Sequence, residues 1–156
     1  MPACIVMVER WRGASSVDTD RRQEQLFSKF ASNGLCSLRA LDGRVGQWRY
    51  FSVDDPDSSE LLAAEVSDDR WAIVECMSGP FGAALRRLEA RSPHGELSPG
   101  PLPYHAICLV GRTGRGFEFL DPWSAREHQP LTISIEDFAT FWTGGALFVQ
   151  RVPIHG

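Results

Sequence analysis

The segment that most constrains the fold is YHAICLVGRTGRGFEFLDP, residues 104–122. Residues 104–110 form an almost uninterrupted apolar run, and residues 117–121 form a second one. Because only a short glycine-containing turn separates the two runs, they are expected to pair as an antiparallel hairpin. The sequence therefore predicts a sheet that includes this hairpin.

The register of this hairpin places two polar side chains together. With Arg112, Thr113 and Gly114 in the loop, and Gly114 in the left-handed conformation, His105 falls directly opposite Asp121. Opposed residues share one face of a sheet, with Cβ atoms about 4.5–5.5 Å apart. A carboxylate there fixes the tautomer of the imidazole and raises its basicity. This is the base half of a nucleophilic dyad or triad, and it is equally what a structural ion pair at a sheet end looks like.

Helices are predicted mainly before the hairpin, and further strands on either side of it. The expected helices are residues 2–12, about 19–32, 57–66, 83–90 and 134–142. The expected strands besides the hairpin are residues 71–76 and 146–152. Glycines at 13 and at 144–145 are expected to end the first and last helices. This order favours an α+β fold, an N-terminal helical half packed on a twisted antiparallel sheet, in a single domain spanning residues 1–156.

Two of these helices carry specific expectations about faces and caps. In the second helix, Leu26, Phe27 and Phe30 are expected to face the core. The third helix is expected to start with the side chain of Asp57 as its cap, answered by Glu60 three residues later.

Composition narrows the class of protein. Hydrophobic residues make up 43% of the chain and charged residues 23%, which is ordinary for a globular domain. The net charge of −4 argues against nucleic acid as a partner. No apolar run approaches the roughly 18 residues of a membrane helix, so no membrane insertion is expected. The first helix lacks the apolar core of a signal peptide, so the chain as written is expected to be cytoplasmic, with non-classical secretion left open.

The four cysteines, Cys4, Cys36, Cys76 and Cys108, show no CxxC spacing. Neither a disulfide framework nor a zinc site is predicted from them, and no cofactor is expected. Three of the four lie in apolar runs, as reduced core thiols do. Cys108 follows His105 by three residues in the same strand and is expected to face away from it.

The order of motifs around the hairpin resembles a known family. His105, an apolar strand, a glycine-containing turn, a strand ending in Asp121 and a proline, a short helix and GGALFV together resemble the papain-like cysteine peptidases. The most similar branch is that of the bacteriocin-processing peptidases, with H-x-V-x-V-x-G…DP…F…W-x-G-G. The resemblance implies a papain-like fold and thiol-dependent cleavage or transfer at a peptide bond of a peptide or protein substrate. It makes His105 the proton shuttle, Asp121 the residue that orients it and Trp123 the residue that shields their contact from water. Ser78, Gly79 and Trp123 are also expected to line the substrate groove.

The first helix extends the resemblance. The family places its nucleophilic cysteine at the N-terminus of a long buried helix, in patterns such as C-G-P-A-x-L-x-M-V-L-x-Y-x-G, where a thiolate is stabilised. PACIVMVERWRG, residues 2–13, matches from the third position onward, with Met1 where the family has glycine. The nucleophile is thus expected one residue before Met1 and the oxyanion-hole glutamine farther upstream, and the chain as written is expected to have little or no peptidase activity. Cys4 lies roughly 6 Å further along the helix and is expected to be a core thiol, with a substitute nucleophile as the weaker candidate.

Other interpretations stay open. The start of the gene product could lie upstream of Met1, or the chain could be a degenerate papain-like module that binds peptides without cleaving them. A tautomerase would use the amine of Pro2, freed by removal of Met1, as its general base, and would begin with a strand at residues 4–8. Papain-like sites also include acyltransferases, so peptide cleavage and acyl transfer are both retained.

Overall fold

The computed structural model of the chain describes residues 1–13, 19–32, 35–89, 103–122 and 129–150. It has the α+β architecture predicted from the sequence, built on one six-stranded antiparallel sheet. The α-helices of the described residues are α1 (Pro2–Trp11), α2 (Thr19–Phe30), α3 (Ser58–Glu65), α4 (Ser78–Glu89) and α5 (Ile135–Ala139), with a 3-10 helix at Leu38–Leu41.

The strands form two sheets of very different size. They are β1 (Ala31–Ser32), β2 (Leu35–Cys36), β3 (Gln47–Tyr50), β4 (Arg70–Met77), β5 (Tyr104–Thr113), β6 (Gly116–Leu120), β7 (Leu131–Ser134) and β8 (Trp142–Gln150). β1 and β2 make a small two-stranded sheet, and the other six strands lie in the order β3-β8-β4-β5-β6-β7. Every pairing in the large sheet is antiparallel. The last of these strands in the sequence thus lies inside the sheet, between β3 and β4.

Alternation along the strands divides the core into two apolar clusters, one on each face of the sheet. In β5, Ala106 and Cys108 belong to the cluster formed with α1 and α2. Ile107 and Leu109 belong to the cluster formed with α3, α4 and α5. Helices therefore cover both faces of the sheet, whereas the sequence-based prediction considered only an N-terminal helical half.

Aromatic rings fill the face that α3, α4 and α5 cover. The rings of Phe81 and Phe141 meet edge to face with centroids 5.1 Å apart, and those of Phe117 and Phe138 lie 4.7 Å apart. All four side chains are fully buried. Burying one such side chain contributes about 1.5–3 kcal/mol, so these contacts are sufficient to fix α4 and α5 on the sheet.

The first helix forms as predicted. Pro2 occupies its first turn, where a missing N–H costs nothing, and Gly13 follows its end with a φ of 97°. At its C-terminal end, Trp11 stacks on Trp71 of β4 with ring centroids 4.1 Å apart. This contact anchors the last turn of α1 on the sheet.

Two details of the next helices differ from the predictions. Phe27 was expected to face the core beside Leu26, but it is 44% exposed while Leu26 is buried. Successive residues of a helix point about 100° apart, so the inward stripe of α2 is narrower than predicted. Asp57 precedes α3 but its side chain does not cap the helix; its own N–H donates to the carboxylate of Asp55 at 3.0 Å.

The connection that follows β4 is helical from its first residue. The helix predicted from residue 83 begins at Ser78 and contains Gly79 and Pro80. Proline is compatible with the first turn because the N–H groups there have no intrahelical partner. The predicted helix of residues 83–90 thus starts five residues earlier than expected, and residues 90–102 lie outside the described residues.

The last helix is shorter, and the last strand longer, than predicted. Ser134 opens α5 as expected, since its Oγ accepts a hydrogen bond from the Asp137 N–H at 3.0 Å. α5 ends before Trp142, which instead begins β8. Gly144 and Gly145, expected to break a helix, lie within β8 where its pairing with β4 shifts register. Gly144 has a φ of 91°, so this glycine bends a strand instead of ending a helix.

Candidate functional site

The β5–β6 hairpin has a different register from the predicted one. Its turn lies at residues 114–115 rather than 112–114, and Gly114 does not adopt the left-handed conformation expected of it. A bulge in β5 then shifts the pairing, so that Cys108 lies opposite Leu120. The predicted register placed residue 118 there, and β6 is therefore displaced by two residues. The predicted direct opposition of the histidine and the aspartate is wrong.

His105 and Asp121 nevertheless meet. His105 Nε2 lies 2.7 Å from Asp121 Oδ1, and the two side chains are 5% and 0% exposed. Side chains alternate between faces with a period of two, so a displacement by two residues keeps both on the same face. The predicted contact between imidazole and carboxylate is thus present, held in a dry environment where its hydrogen bond is strong.

An aromatic ring and a thiol border the imidazole. The ring of Phe81, in the first turn of α4, stacks on His105 with centroids 5.2 Å apart and an angle of 28° between the planes. Cys76 of β4 lies directly opposite His105 in the sheet register and is fully buried. The imidazole therefore faces α4, at the end of the sheet where β5 begins.

Gln129 holds the backbone of Asp121 from both sides. Its Oε1 accepts a hydrogen bond from the Asp121 N–H at 3.1 Å, and its Nε2 donates to the Asp121 carbonyl oxygen at 2.8 Å. This pair of bonds fixes the end of β6 and thus the position of the carboxylate. Sequence reasoning missed Gln129 and Phe81, because neither stands in a motif and both reach the site only through tertiary folding.

The front of α1 lies at the His105 end of β5. Cys4 Sγ donates a hydrogen bond to the Ala106 carbonyl oxygen at 3.2 Å. Two turns later, Trp11 stacks on Trp71, at the end of β4 that pairs with the far part of β5. The helix therefore runs along β5 with its N-terminus directed toward the end that carries His105.

Cys4, Cys76 and Cys108 are free, fully buried thiols. Cys108 Sγ donates to the Cys4 carbonyl oxygen at 3.7 Å, across the interface between α1 and β5, and Cys108 faces away from His105 as predicted. A side-chain hydrogen bond between the two thiols lowers the pKa of the Cys4 thiol. This side-chain bond, together with burial, raises the pKa of the Cys108 thiol well above its ordinary value. Burial alone is the main cause of the raised pKa of the Cys76 thiol. Cys4 is thus a buried thiol of the core, as predicted, and its assignment as a substitute nucleophile stays a prediction.

The raised pKa of Cys76 predicts a loss of stability in alkali. A thiol in the unfolded chain ionises at about pH 8.5, while the buried Cys76 thiol of the folded chain keeps its proton above that pH. Above that pH the unfolded chain binds fewer protons than the folded one, so the stabilisation present below it is lost as pH rises. We expect Cys76→Ala to reduce the fall in unfolding free energy between pH 7.5 and 9.5 by about 1 kcal/mol, measured by urea denaturation. An identical fall in both proteins would contradict this.

Of the remaining predicted site residues, two lie at the same end of the sheet, and the third lies outside the described residues. Ser78 is buried and Gly79 is exposed, and the Ser78 N–H donates to the Pro103 carbonyl oxygen at 2.9 Å, just before β5. Trp123 lies outside the described residues. The structure thus brings the backbone of Ser78 to the beginning of β5, where Pro103 precedes His105 by two residues.

Pro2 lies in a helix, which bears on the tautomerase interpretation. That interpretation required a strand at residues 4–8, and these residues form part of α1. It is therefore wrong on this point.

Two classes of feature are absent from the described part of the chain. Across residues 1–13, 19–32, 35–89, 103–122 and 129–150, no three His, Cys, Asp or Glu side chains gather closely enough to hold a metal ion. None of the helices in these ranges combines the length and the apolar character that spanning a membrane requires.

No model of a known protein family matches the chain, and no curated protein matches it.

Proposed function

We propose that this chain is a papain-like thiol peptidase or acyltransferase domain in which His105 and Asp121 form the base of the site. The observation that carries the proposal is the buried 2.7 Å contact between the two side chains, at the end of β5 toward which the front of α1 is directed. The sequence motifs that resemble the family add support from both ends of the chain.

The roles follow from the chemistry of thiol acyl transfer. A thiolate at the front of α1 would attack a substrate carbonyl carbon, and backbone N–H groups at the helix start would hold the oxyanion. His105 would carry the proton from the thiol to the leaving amine, and Asp121 would keep the ring oriented. Because Nε2 of His105 is bound to Asp121, the proton would pass through Nδ1.

The proposal is tested by supplying the thiol that the resemblance places before Met1. A variant with one cysteine immediately before Met1, behind a short Gly-Ser leader, should be alkylated there by iodoacetamide at about pH 6. We expect a rate at least tenfold above that of an ordinary thiol, because a helix N-terminus and a nearby imidazole both lower a thiol pKa. Peptide mapping by mass spectrometry gives the rate at each cysteine.

A matched control separates the effect of the helix end from that of the imidazole. Asp20→Cys places a thiol in the first turn of α2, and it should react more slowly than the added cysteine. Asp121→Asn, made in the chain with the added cysteine, should lower the alkylation rate toward that of the control. An alkylation rate that is unchanged by Asp121→Asn, or that is no higher than the rate of Asp20→Cys, would count against the peptidase proposal. Either result would favour a non-catalytic peptide-binding module.

A further inference from the structure

We infer that Glu75, Met77 and Tyr104 form a subsite for a cationic side chain of the substrate, an arginine or a lysine beside the reacting bond. That the ligand is a substrate rests on the proposed function, whereas the affinity for the cation does not. Met77 and Tyr104 lie directly opposite each other where β4 ends and β5 begins, and they are 40% and 54% exposed. Single exposed apolar side chains are normal on a protein surface, whereas contiguous ones are a feature of binding surfaces.

A carboxylate lies beside this exposed pair. Glu75 is two residues before Met77 in β4 and lies opposite Ala106 in β5, so its side chain is on the same face of the sheet as Met77 and Tyr104. Glu75 and Tyr104 are diagonal neighbours, whose Cβ atoms are at most about 7–8 Å apart, within reach of long side chains. The three side chains therefore form one continuous surface, here called the Glu75 surface.

No cation balances the charge of Glu75 within the part of the chain that the structure describes, because the ion pairs there all involve other carboxylates. The hydroxyl of Thr143 lies 3.3 Å from Glu75 Oε1 and 3.1 Å from the Glu75 carbonyl oxygen. A hydroxyl has one proton to donate, so the carboxylate receives only a shared hydrogen bond from it. A half-buried carboxylate in this state attracts a cation more strongly than it would in bulk water.

The carboxylate is also open to solvent. Across the described ranges, the buried side-chain atoms that lack a hydrogen-bond partner are Arg70 Nε and Ser78 Oγ. Oε2 of Glu75 has no partner in these ranges either, and it is not one of these buried atoms. A ligand can therefore reach this oxygen from the same side as the exposed ring of Tyr104.

The front of α1 ends next to the Glu75 surface. Cys4 Sγ donates to the carbonyl oxygen of Ala106, the residue opposite Glu75, and α1 runs along β5 from there. The position immediately before Met1 is four residues earlier than Cys4, which is about 6 Å along a helix. Tyr104 is two residues earlier than Ala106, which is about 6–7 Å along a strand. A substrate carbonyl at the front of α1 would thus have its neighbouring side chain over the Glu75 surface.

The composition of the Glu75 surface suits a long cationic side chain. Arginine and lysine combine an apolar stem with a charged end. The stem can pack on Met77 and on the ring of Tyr104, whose π face also attracts a cation. The charged end can donate a hydrogen bond to Glu75 Oε2. An apolar side chain would leave the carboxylate without a partner, and an acidic one would be repelled by it.

Two peptides that differ in one charge test the inference on the unmodified chain. The first is a short capped alanine peptide with a single central arginine, and the second carries citrulline there, which has the shape of arginine without its charge. We expect the arginine peptide to bind at least about tenfold more tightly, because a hydrogen bond between charged partners is lost with citrulline. NMR titration, followed at the Met77 methyl group and the Tyr104 amide, gives both affinities and the place of binding.

Three variants show whether the preference comes from this surface. Glu75→Gln keeps the size of the side chain and an acceptor for Thr143, and it should make the two affinities equal. Tyr104→Ala should weaken binding of the arginine peptide by about two- to fivefold. Glu60→Gln removes the same charge from an exposed position in α3 and should leave the ratio of the affinities unchanged. No binding of the arginine peptide, equal affinities in the unmodified chain, or a ratio that persists in Glu75→Gln would overturn the inference.

The peptide measurements require no added thiol, so they separate this inference from the thiol proposal. A preference for arginine without enhanced alkylation of a cysteine placed before Met1 would defeat the thiol proposal alone and leave a cation-binding surface. Enhanced alkylation without a preference for arginine would defeat the present inference alone.

Discussion

Replacing His105 with leucine is expected to lower the free energy of unfolding by about 3–5 kcal/mol at neutral pH. The substitution leaves the carboxylate of Asp121, which is 0% exposed, without the imidazole that lies 2.7 Å away. Removing one member of a buried hydrogen-bonded pair costs far more than the pair contributes when intact, because the remaining group stays buried and loses that hydrogen bond. Urea denaturation followed by circular dichroism measures the change.

Two comparisons make this expectation specific to the buried pair. Replacing both partners with leucine also removes the buried carboxylate, so the double variant should lose less stability than His105→Leu alone. The exposed pair of Arg112 and Glu60 is a control, because Arg112→Gln should change the free energy by no more than about 1 kcal/mol. Similar losses in the single and double variants would show that Asp121 does not depend on His105.

The second large effect is expected at Gly144. Its φ of 91° strains any residue with a side chain, and an added Cβ would lie 2.4 Å from the carbonyl oxygen of Phe51. Backbone strain of about 1–2 kcal/mol and a clash of about 1–3 kcal/mol give an expected loss of roughly 2–5 kcal/mol for Gly144→Ala. Chemical denaturation gives the value directly.

The neighbouring glycine supplies a matched control. Gly145 has an ordinary negative or extended φ, and the nearest atom to an added Cβ there is Trp48 Nε1 at 3.7 Å, an ordinary contact. Gly145→Ala should therefore change stability by less than about 1 kcal/mol. Equal losses at the two positions would mean that loss of glycine itself, and not the conformation of Gly144, determines the cost.

The hairpin shows how much of the site could be predicted from the sequence. Two apolar runs with a short turn are enough to predict β5 and β6, but the turn residues and the bulge decide the register, and neither was predicted. The contact of His105 with Asp121 still forms, because the error was an even number of residues. Alternation of side chains is therefore a more robust guide to which residues meet than the turn geometry is.

The misplaced start of α4 has a simple physical cause. Gly79 and Pro80 are residues that interrupt the middle of a helix, so the predicted helix was started after them, at residue 83. In the first turn neither objection applies, since a proline there gives up no hydrogen bond and its fixed φ suits a helix. The error mattered for the site, because it hid the face of α4 that carries Ser78 and Phe81.

The edge strands were missed, and the supporting contacts could not be predicted from local pattern. β3 (QWRY) and β7 (LTIS) alternate polar and apolar residues, but each is only four residues long, and so short an alternation was not recognised as a strand. Gln129 follows Asp121 by eight residues, and its side chain reaches the Asp121 backbone through the tertiary fold. Such contacts depend on the complete fold, and the papain-like assignment of that fold stays a proposal.

The position of β8 determines when this protein can fold. β8 is the last strand in the sequence, yet it pairs with both β3 and β4. These two strands lie far earlier in the sequence than β8. On the ribosome, β3 and β4 therefore lack β8 as their pairing partner until residue 150 has emerged. Contacts this distant in sequence are slow to form, and the two open strand edges meanwhile can pair with other chains. Nascent chains stalled before β8 should consequently depend on chaperones, whereas the finished sheet has these edges closed.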